Sequence, residues 1–287
     1  YITITASVSS KVTITDDFTI SRKVPQMDFV CESNNRLWGC SSEKNEIYAS
    51  RLGDPTNFFA YEGISTDSFA VSVGSDGEFT ACTPYRGYIL FFKENCVHKI
   101  YGQNPPYTVT TSYIRGVEKT SGKSLVTLNE TLYYKSPTGV CAYEGGVPVN
   151  IGEDLGEGRY NRAVGGAVGN KYYICMTDKT GKRNLFCYHE DKSMWTREDD
   201  IDISAFAVND CNLYFVERQD EYHRLGIIDS DNMYGSYAGD MKGFKLEDDF
   251  TWSFKTGLWG LDLPFNKYYN AFTIRGRGEK GAEISIA

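Results

Sequence analysis

Short apolar bursts alternate with polar turns along this chain, and one turn-and-strand signature keeps returning. It consists of a polar turn residue, two spacers, and an apolar or aromatic residue that opens a strand. It reads Asn34-Asn35-Arg36-Leu37-Trp38, then Asn129-Glu130-Thr131-Leu132-Tyr133-Tyr134. It returns as Asn170-Lys171-Tyr172-Tyr173 and Asp210-Cys211-Asn212-Leu213-Tyr214-Phe215, with weaker copies at Tyr85-Arg86-Gly87-Tyr88-Ile89 and Asp249-Phe250-Thr251-Trp252. Aligned on Leu37, Tyr88, Leu132, Tyr173, Leu213 and Trp252, the gaps are 51, 44, 41, 40 and 39 residues, a mean of 43. No segment of ten or more residues carries a helical period.

Within a period the plan is strand, hairpin, strand. Tyr173-Ile174-Cys175-Met176 leads through the polar, Gly-containing turn Thr177 to Lys182 into Asn184-Leu185-Phe186-Cys187-Tyr188. Leu132-Tyr133-Tyr134, Ser136-Pro137-Thr138-Gly139 and Val140-Cys141-Ala142-Tyr143 repeat it with a shorter loop. A four-stranded antiparallel sheet with tight turns consumes about 40–50 residues and cannot bury both faces alone, so such sheets stack radially. The fold predicted is therefore all-β: a β-propeller, six blades by the anchors, with five or seven left open. Residues 1–24 add one or two strands, including Ile2-Thr3-Ile4 and Val12-Thr13-Ile14. Residues 1–251 are assigned to the blades. Residues 252–287 are either the closing blade strands or the start of a further β domain.

Composition agrees with strands: 21 Tyr and 16 Phe stand against 8 Pro. The longest apolar run, Tyr88-Ile89-Leu90-Phe91-Phe92, has the length of a buried strand and falls far short of a membrane span. The chain opens on Tyr1 with alternating Ile and Thr, without the basic and apolar blocks of a secretory signal, and is read as a fragment of something longer. A net charge of −8 argues against tight, sequence-specific nucleic-acid binding. The eight cysteines, with no Cys-x-x-Cys among them, read as small, buried, reduced thiols. A cross-strand disulfide between Cys175 and Cys187 is permitted by their spacing and not required by it.

Chemistry is sparse. His98, His189 and His223 have no metal spacing, and none pairs with a cysteine at zinc-site distances. His98 is placed on the polar face of a strand. Gly165-Gly166-Ala167-Val168-Gly169 is read as lying between strands, with no helix after it to hold a dinucleotide. Glu198-Asp199-Asp200 with Asp202, and Asp229-Ser230-Asp231-Asn232, offer oxygen ligands for calcium but read more simply as solvated turns. Gly74-Ser75-Asp76-Gly77 is only a fragment of the sialidase-propeller box. The abundant tyrosines are expected to fill the space between blades more than to stack on sugars. The sequence assigns no catalytic, cofactor-binding or metal-binding residue.

One stretch is more specific than the repeat. Arg36-Leu37-Trp38-Gly39 leads through Asn45 to Ser50 into Arg51-Leu52-Gly53-Asp54-Pro55-Thr56-Asn57-Phe58. Tyr88 to Asn95, Ile100-Tyr101-Gly102, Leu132 to Val140 and Tyr143-Glu144-Gly145-Gly146-Val147-Pro148 follow. Over about residues 34–155 this succession resembles the propeller-containing structural proteins of tailed-bacteriophage tails and head–tail connections, nozzle proteins among them. The resemblance implies a non-enzymatic virion component, made in the bacterial cytoplasm, whose partners are other virion proteins or copies of itself in a ring. Two further classes stay open: a propeller that binds glycans on a bacterial surface, and a glycoside-active enzyme on the same scaffold.

Overall fold

The computed structural model describes residues 23–156, 159–198, 201–219 and 222–228. They form five antiparallel sheets met in chain order. The first holds β1 (Phe29–Ser33), β2 (Arg36–Ser41), β3 (Glu46–Ala49) and β4 (Phe69–Ser72). The second holds β5 (Ala81–Tyr85), β6 (Tyr88–Phe92), β7 (Val97–Tyr101) and β8 (Thr108–Ser112). The third holds β9 (Val126–Leu128), β10 (Thr131–Ser136), β11 (Gly139–Tyr143) and β12 (Val149–Asn150). The fourth holds β13 (Asn161–Val168), β14 (Lys171–Thr177), β15 (Arg183–His189) and β16 (Met194–Arg197). The fifth shows β17 (Ile203–Asn209), β18 (Asn212–Arg218) and β19 (His223–Ile228). In every sheet the strands pair in sequence order, so each is a simple meander.

This is the β-propeller plan. First strands of neighbouring sheets touch where β1 meets β5 and where β13 meets both β9 and β17. The fourth strands β8, β12 and β16 are largely exposed. Each pair of neighbouring sheets then closes on one apolar seam. Strand periodicity feeds two seams at once. In β6, Ile89 and Phe91 enter the seam with the first sheet, while Leu90 and Phe92 enter the seam with the third. The long apolar run is thus a strand buried on both faces. Tyr133 and Tyr134 split the same way, as do Tyr172 and Tyr173.

The five described anchors all fall in the second strand of a sheet: Leu37 in β2, Tyr88 in β6, Leu132 in β10, Tyr173 in β14 and Leu213 in β18. The recurring polar pair before them is the hairpin turn from first to second strand. Asn34 and Asn35, Arg86 and Gly87, Asn129 and Glu130, and Asp210 and Cys211 all have positive φ, as a tight two-residue hairpin of matching twist requires. The sixth anchor, Trp252, lies outside the described residues, as do residues 1–22 and the boundary placed at 251/252.

Two segments differ from expectation. Gly165 and Gly166 sit inside β13, not between strands. A Cβ at Gly165 would meet the Ser124 carbonyl at 2.7 Å, and one at Gly166 would meet Phe206 at 2.7 Å. Glycine is required because first strands converge, so neighbours crowd both faces. Lys93-Glu94-Asn95 reads in the sequence as a polar hairpin tip between two apolar strands, but Lys93 is only 1% exposed.

Tyrosine hydroxyls cross the seams. Tyr85 donates to the Glu130 carbonyl (2.6 Å), Tyr134 to that of Arg115 (2.6 Å) and Tyr172 to that of Ser124 (2.8 Å). Tyr172 is wholly buried. Tyr172→Phe keeps the ring but strands the Ser124 carbonyl, and we expect a loss of about 1–2 kcal/mol in urea denaturation.

Candidate functional site

The seam between the first two sheets carries the most chemistry. At one end it opens into a cavity of about 300 Å³. Asn34, Arg36 and Trp38 reach it from β2 and the preceding turn, and Gln103, Asn104 and Tyr107 from the connection between β7 and β8. Leu52 and Ser65 add a wall from residues 50–68, the long link between β3 and β4. That link is the extra length of the first repeat interval. The indole of Trp38 meets the Tyr107 ring edge-on at 4.9 Å, and Phe69 meets Tyr107 at 5.3 Å. Burial raises the Tyr107 phenol pKa, offset in part by the Arg36 charge. Trp38 is buried, yet its Nε1 has no hydrogen-bond partner among the described residues.

Arg36 builds the wall. Its buried guanidinium donates to the carbonyls of Ser50 (2.7 Å), Asp67 (2.5 Å) and Ser65 (2.8 Å). The link is also tied internally. Arg51 N–H donates to Asn57 O and Leu52 N–H to Thr66 O, while Gly63 and Ile64 N–H donate to the Asp67 carboxylate. Asp54 of the Gly-Asp-Pro turn accepts from the Thr56 hydroxyl and amide, and these bonds lower its pKa. The turn is a chain reversal, as its residues require. Arg36 therefore acts as an internal clamp, with its charge spent on backbone.

A second constellation lies elsewhere in the same seam. His98 is fully buried in β7, contrary to its expected place on a polar face. Its Nε2 lies 2.8 Å from Ser75 Oγ and its Nδ1 lies 2.9 Å from Thr111 Oγ1. Beside it the Lys93 ammonium donates to Asn45 Oδ1 (2.7 Å) and Ser75 O (2.8 Å) and lies 4.8 Å from the Phe79 ring centroid. Burial first, and the Lys93 charge second, push the imidazole down to about 4. The Ser75–His98 pair looks like a nucleophile and base. The third position, however, is Thr111 where an orienting carboxylate is needed, and both members are closed off from substrate. The Gly74 to Gly77 fragment thus serves as a staple: its Ser75 joins the link between two blades to the second sheet.

A second cavity, of about 490 Å³, follows the first strands β9, β13 and β17 and is lined by Leu125, Gly165, Gly166, Phe206 and Leu213 among others. Neither cavity is lined by Asp or Glu, so neither supplies the carboxylate pair of a glycosidase.

Of the acidic candidates, Asp202 pairs with Arg183 at 3.2 Å, while Asp199, Asp200 and Asp229 to Asn232 lie outside the described residues. Cys175 faces Leu185 and Cys187 faces Tyr173, so the two thiols are not a cross-strand pair. His223 lies exposed at the start of β19. His189 does meet a cysteine, contrary to expectation: Cys187, His189 and Glu198 place one ligand atom each within 4.8 Å of one another. The signal was present as Cys-x-His on a strand, whose two-residue period puts both side chains on one face.

Among the described residues no helix is long and apolar enough to cross a membrane. No protein-family model and no curated protein matches the sequence. Solved structures give distant likenesses. K. marxianus Hsv2 is 11% identical at a TM-score of 0.41, over 72% of this chain and 64% of that one. The extracellular domain of a one-component system of B. thetaiotaomicron is 12% identical at 0.41, over 71% of this chain and 28% of that one. An exported protein of Bacteroides fragilis is 11% identical at 0.28, over 70% of this chain and 81% of that one. The chain spans less than two thirds of the first two, and at these scores the propeller is read from its own sheets.

Proposed function

We propose that this chain is a non-enzymatic propeller component of a tailed-phage tail or head–tail junction, acting through protein–protein assembly in the virion. The observation that carries the reading is the link of residues 50–68. It belongs to the stretch with the phage resemblance, and Arg36 and its internal bonds hold it in one shape. It presents Leu52, Tyr61 and Ile64 outward at 42, 58 and 46% exposure. Apolar side chains fixed on a surface loop suit a protein partner, because little ordering entropy remains to be lost on binding. The net charge of −8 suits a conduit for DNA, which like charge repels. The test is mass spectrometry of purified tailed particles whose gene encodes either the wild-type chain or the Leu52→Asp/Ile64→Asp double variant. We expect the wild type in the particles and the folded variant excluded. Absence of the wild type from particles overturns the proposal.

A glycan-binding role is the second reading, favoured by the first cavity. Its Trp38–Tyr107 pair and unpartnered indole N–H, with Asn34, Gln103 and Asn104 nearby, match the mixed apolar and polar lining of a sugar site. A glycan array reads it directly. Binding that falls in Trp38→Phe supports it, and an array without hits removes it.

A further inference from the structure

The outer half of the fourth sheet places three different metal-binding donors on one face. Cys187 and His189 are two apart on β15 and so project to the same side. On the neighbouring strand Thr196 lies opposite Cys187, and the Glu198 amide donates to the Leu185 carbonyl at 2.9 Å. Glu198 is two residues beyond Thr196 and shares its face. The Thr196 hydroxyl lies 2.7 Å from Glu198 Oε1 and 3.2 Å from His189 Nε2, drawing the two side chains together over Cys187. Tyr173 faces Cys187 from β14, and Lys171 faces His189. Cys187 is buried in the seam with the fifth sheet, while Glu198 is exposed, which leaves the cluster an approach from solvent.

We propose that Cys187, His189 and Glu198 form a binding site for a zinc-class divalent cation, three protein ligands with a fourth position for water. The donor set decides the class. Sulfur and imidazole nitrogen favour zinc over calcium and magnesium, which take oxygen ligands. Separations within 4.8 Å leave only a small closing movement for a tetrahedral ion. Metal binding replaces the Cys187 thiol proton with the cation, and the proton leaves to solvent. A cysteine-nucleophile role fits less well. It needs an accessible thiolate, and this thiol is buried. A bound ion would cross-link β15 to β16 at the rim of the sheet.

The test titrates the purified full chain with Co²⁺ after chelator treatment and dialysis. We expect a saturating thiolate-to-cobalt charge-transfer absorption with visible ligand-field bands, displaced by Zn²⁺ and retained in Cys175→Ser. The signal is expected to vanish in Cys187→Ala and His189→Ala and to need more than about ten-fold higher Co²⁺ in Glu198→Gln. A signal that persists in Cys187→Ala, or no signal in the wild type at excess Co²⁺, overturns the assignment. X-ray absorption of the zinc-loaded wild type reads the site without any variant. One sulfur with nitrogen and oxygen neighbours supports it, and a shell of oxygen alone overturns it.

Discussion

Arg36→Met is expected to destabilise the protein by about 3–5 kcal/mol and to release residues 50–68 to proteolysis. Methionine keeps an apolar stem of similar length, so the loss falls on the guanidinium, whose carbon lies 5.9 Å from the Tyr107 ring centroid. Its removal leaves the carbonyls of Ser50, Asp67 and Ser65 with no charged donor, and two of these bonds are fully buried. Each charge-assisted bond contributes about 1.5–3 kcal/mol, and part is recovered where water reaches Ser65. Arg36→Lys restores only part, because a single ammonium lacks the fork that spans three acceptors. Urea denaturation gives the stability, and limited proteolysis with mass mapping gives the cut sites. Wild-type stability in Arg36→Met, or first cuts elsewhere than 50–68, shows that the clamp does not hold the link.

Acidification from pH 7 to pH 4 is expected to remove about 3 kcal/mol of stability through His98 alone. The sign follows from its depressed folded pKa. Unfolded, His98 takes a proton near 6.5; folded, burial and the Lys93 charge hold it neutral down to about 4. Its contribution is complete above 6.5 and is lost as pH falls through 4, because the unfolded chain binds the proton first. Both hydroxyls, Ser75 and Thr111, can accept from an imidazolium, so the penalty is electrostatic and not a broken hydrogen bond. Carboxylates held below their usual range, such as Asp178 at about 2, act at lower pH. His98→Gln therefore flattens the stability curve between pH 7 and 4.5 relative to wild type. Parallel curves for the two proteins dispose of the idea.

Much of the fold is legible in the chain because hairpin propellers are built from local contacts. The turn pairs Asn34-Asn35, Asn129-Glu130 and Asp210-Cys211 declare themselves by residue type and by the apolar residue that follows. Each marks the entry to a second strand. The 51-residue first interval signals an insertion, and the structure places it between β3 and β4. The chemistry is harder to read. Lys93 looks like a polar tip residue, and nothing nearby in sequence announces Asn45 or Ser75 as its partners. His98 occupies one face of a strand, and which face is buried depends on the neighbouring sheet. Arg36 gives no sign that its acceptors lie 14 to 31 residues away.

By itself the sequence determined the all-β class, the period near 40 and the strand each anchor opens, because turn chemistry and two-residue alternation act over a few neighbouring residues. Only the tertiary structure decided which strand faces meet. That choice buries His98 and Lys93, makes Arg36 a clamp and requires glycine where β13 is crowded on both sides. Cys187 and His189 share a face by alternation alone, but Glu198 joins them through the register of β15 with β16. Register and sheet stacking are set by apolar contacts between residues far apart in sequence. No short segment can encode them, and both the cavity and the proposed metal site depend on them.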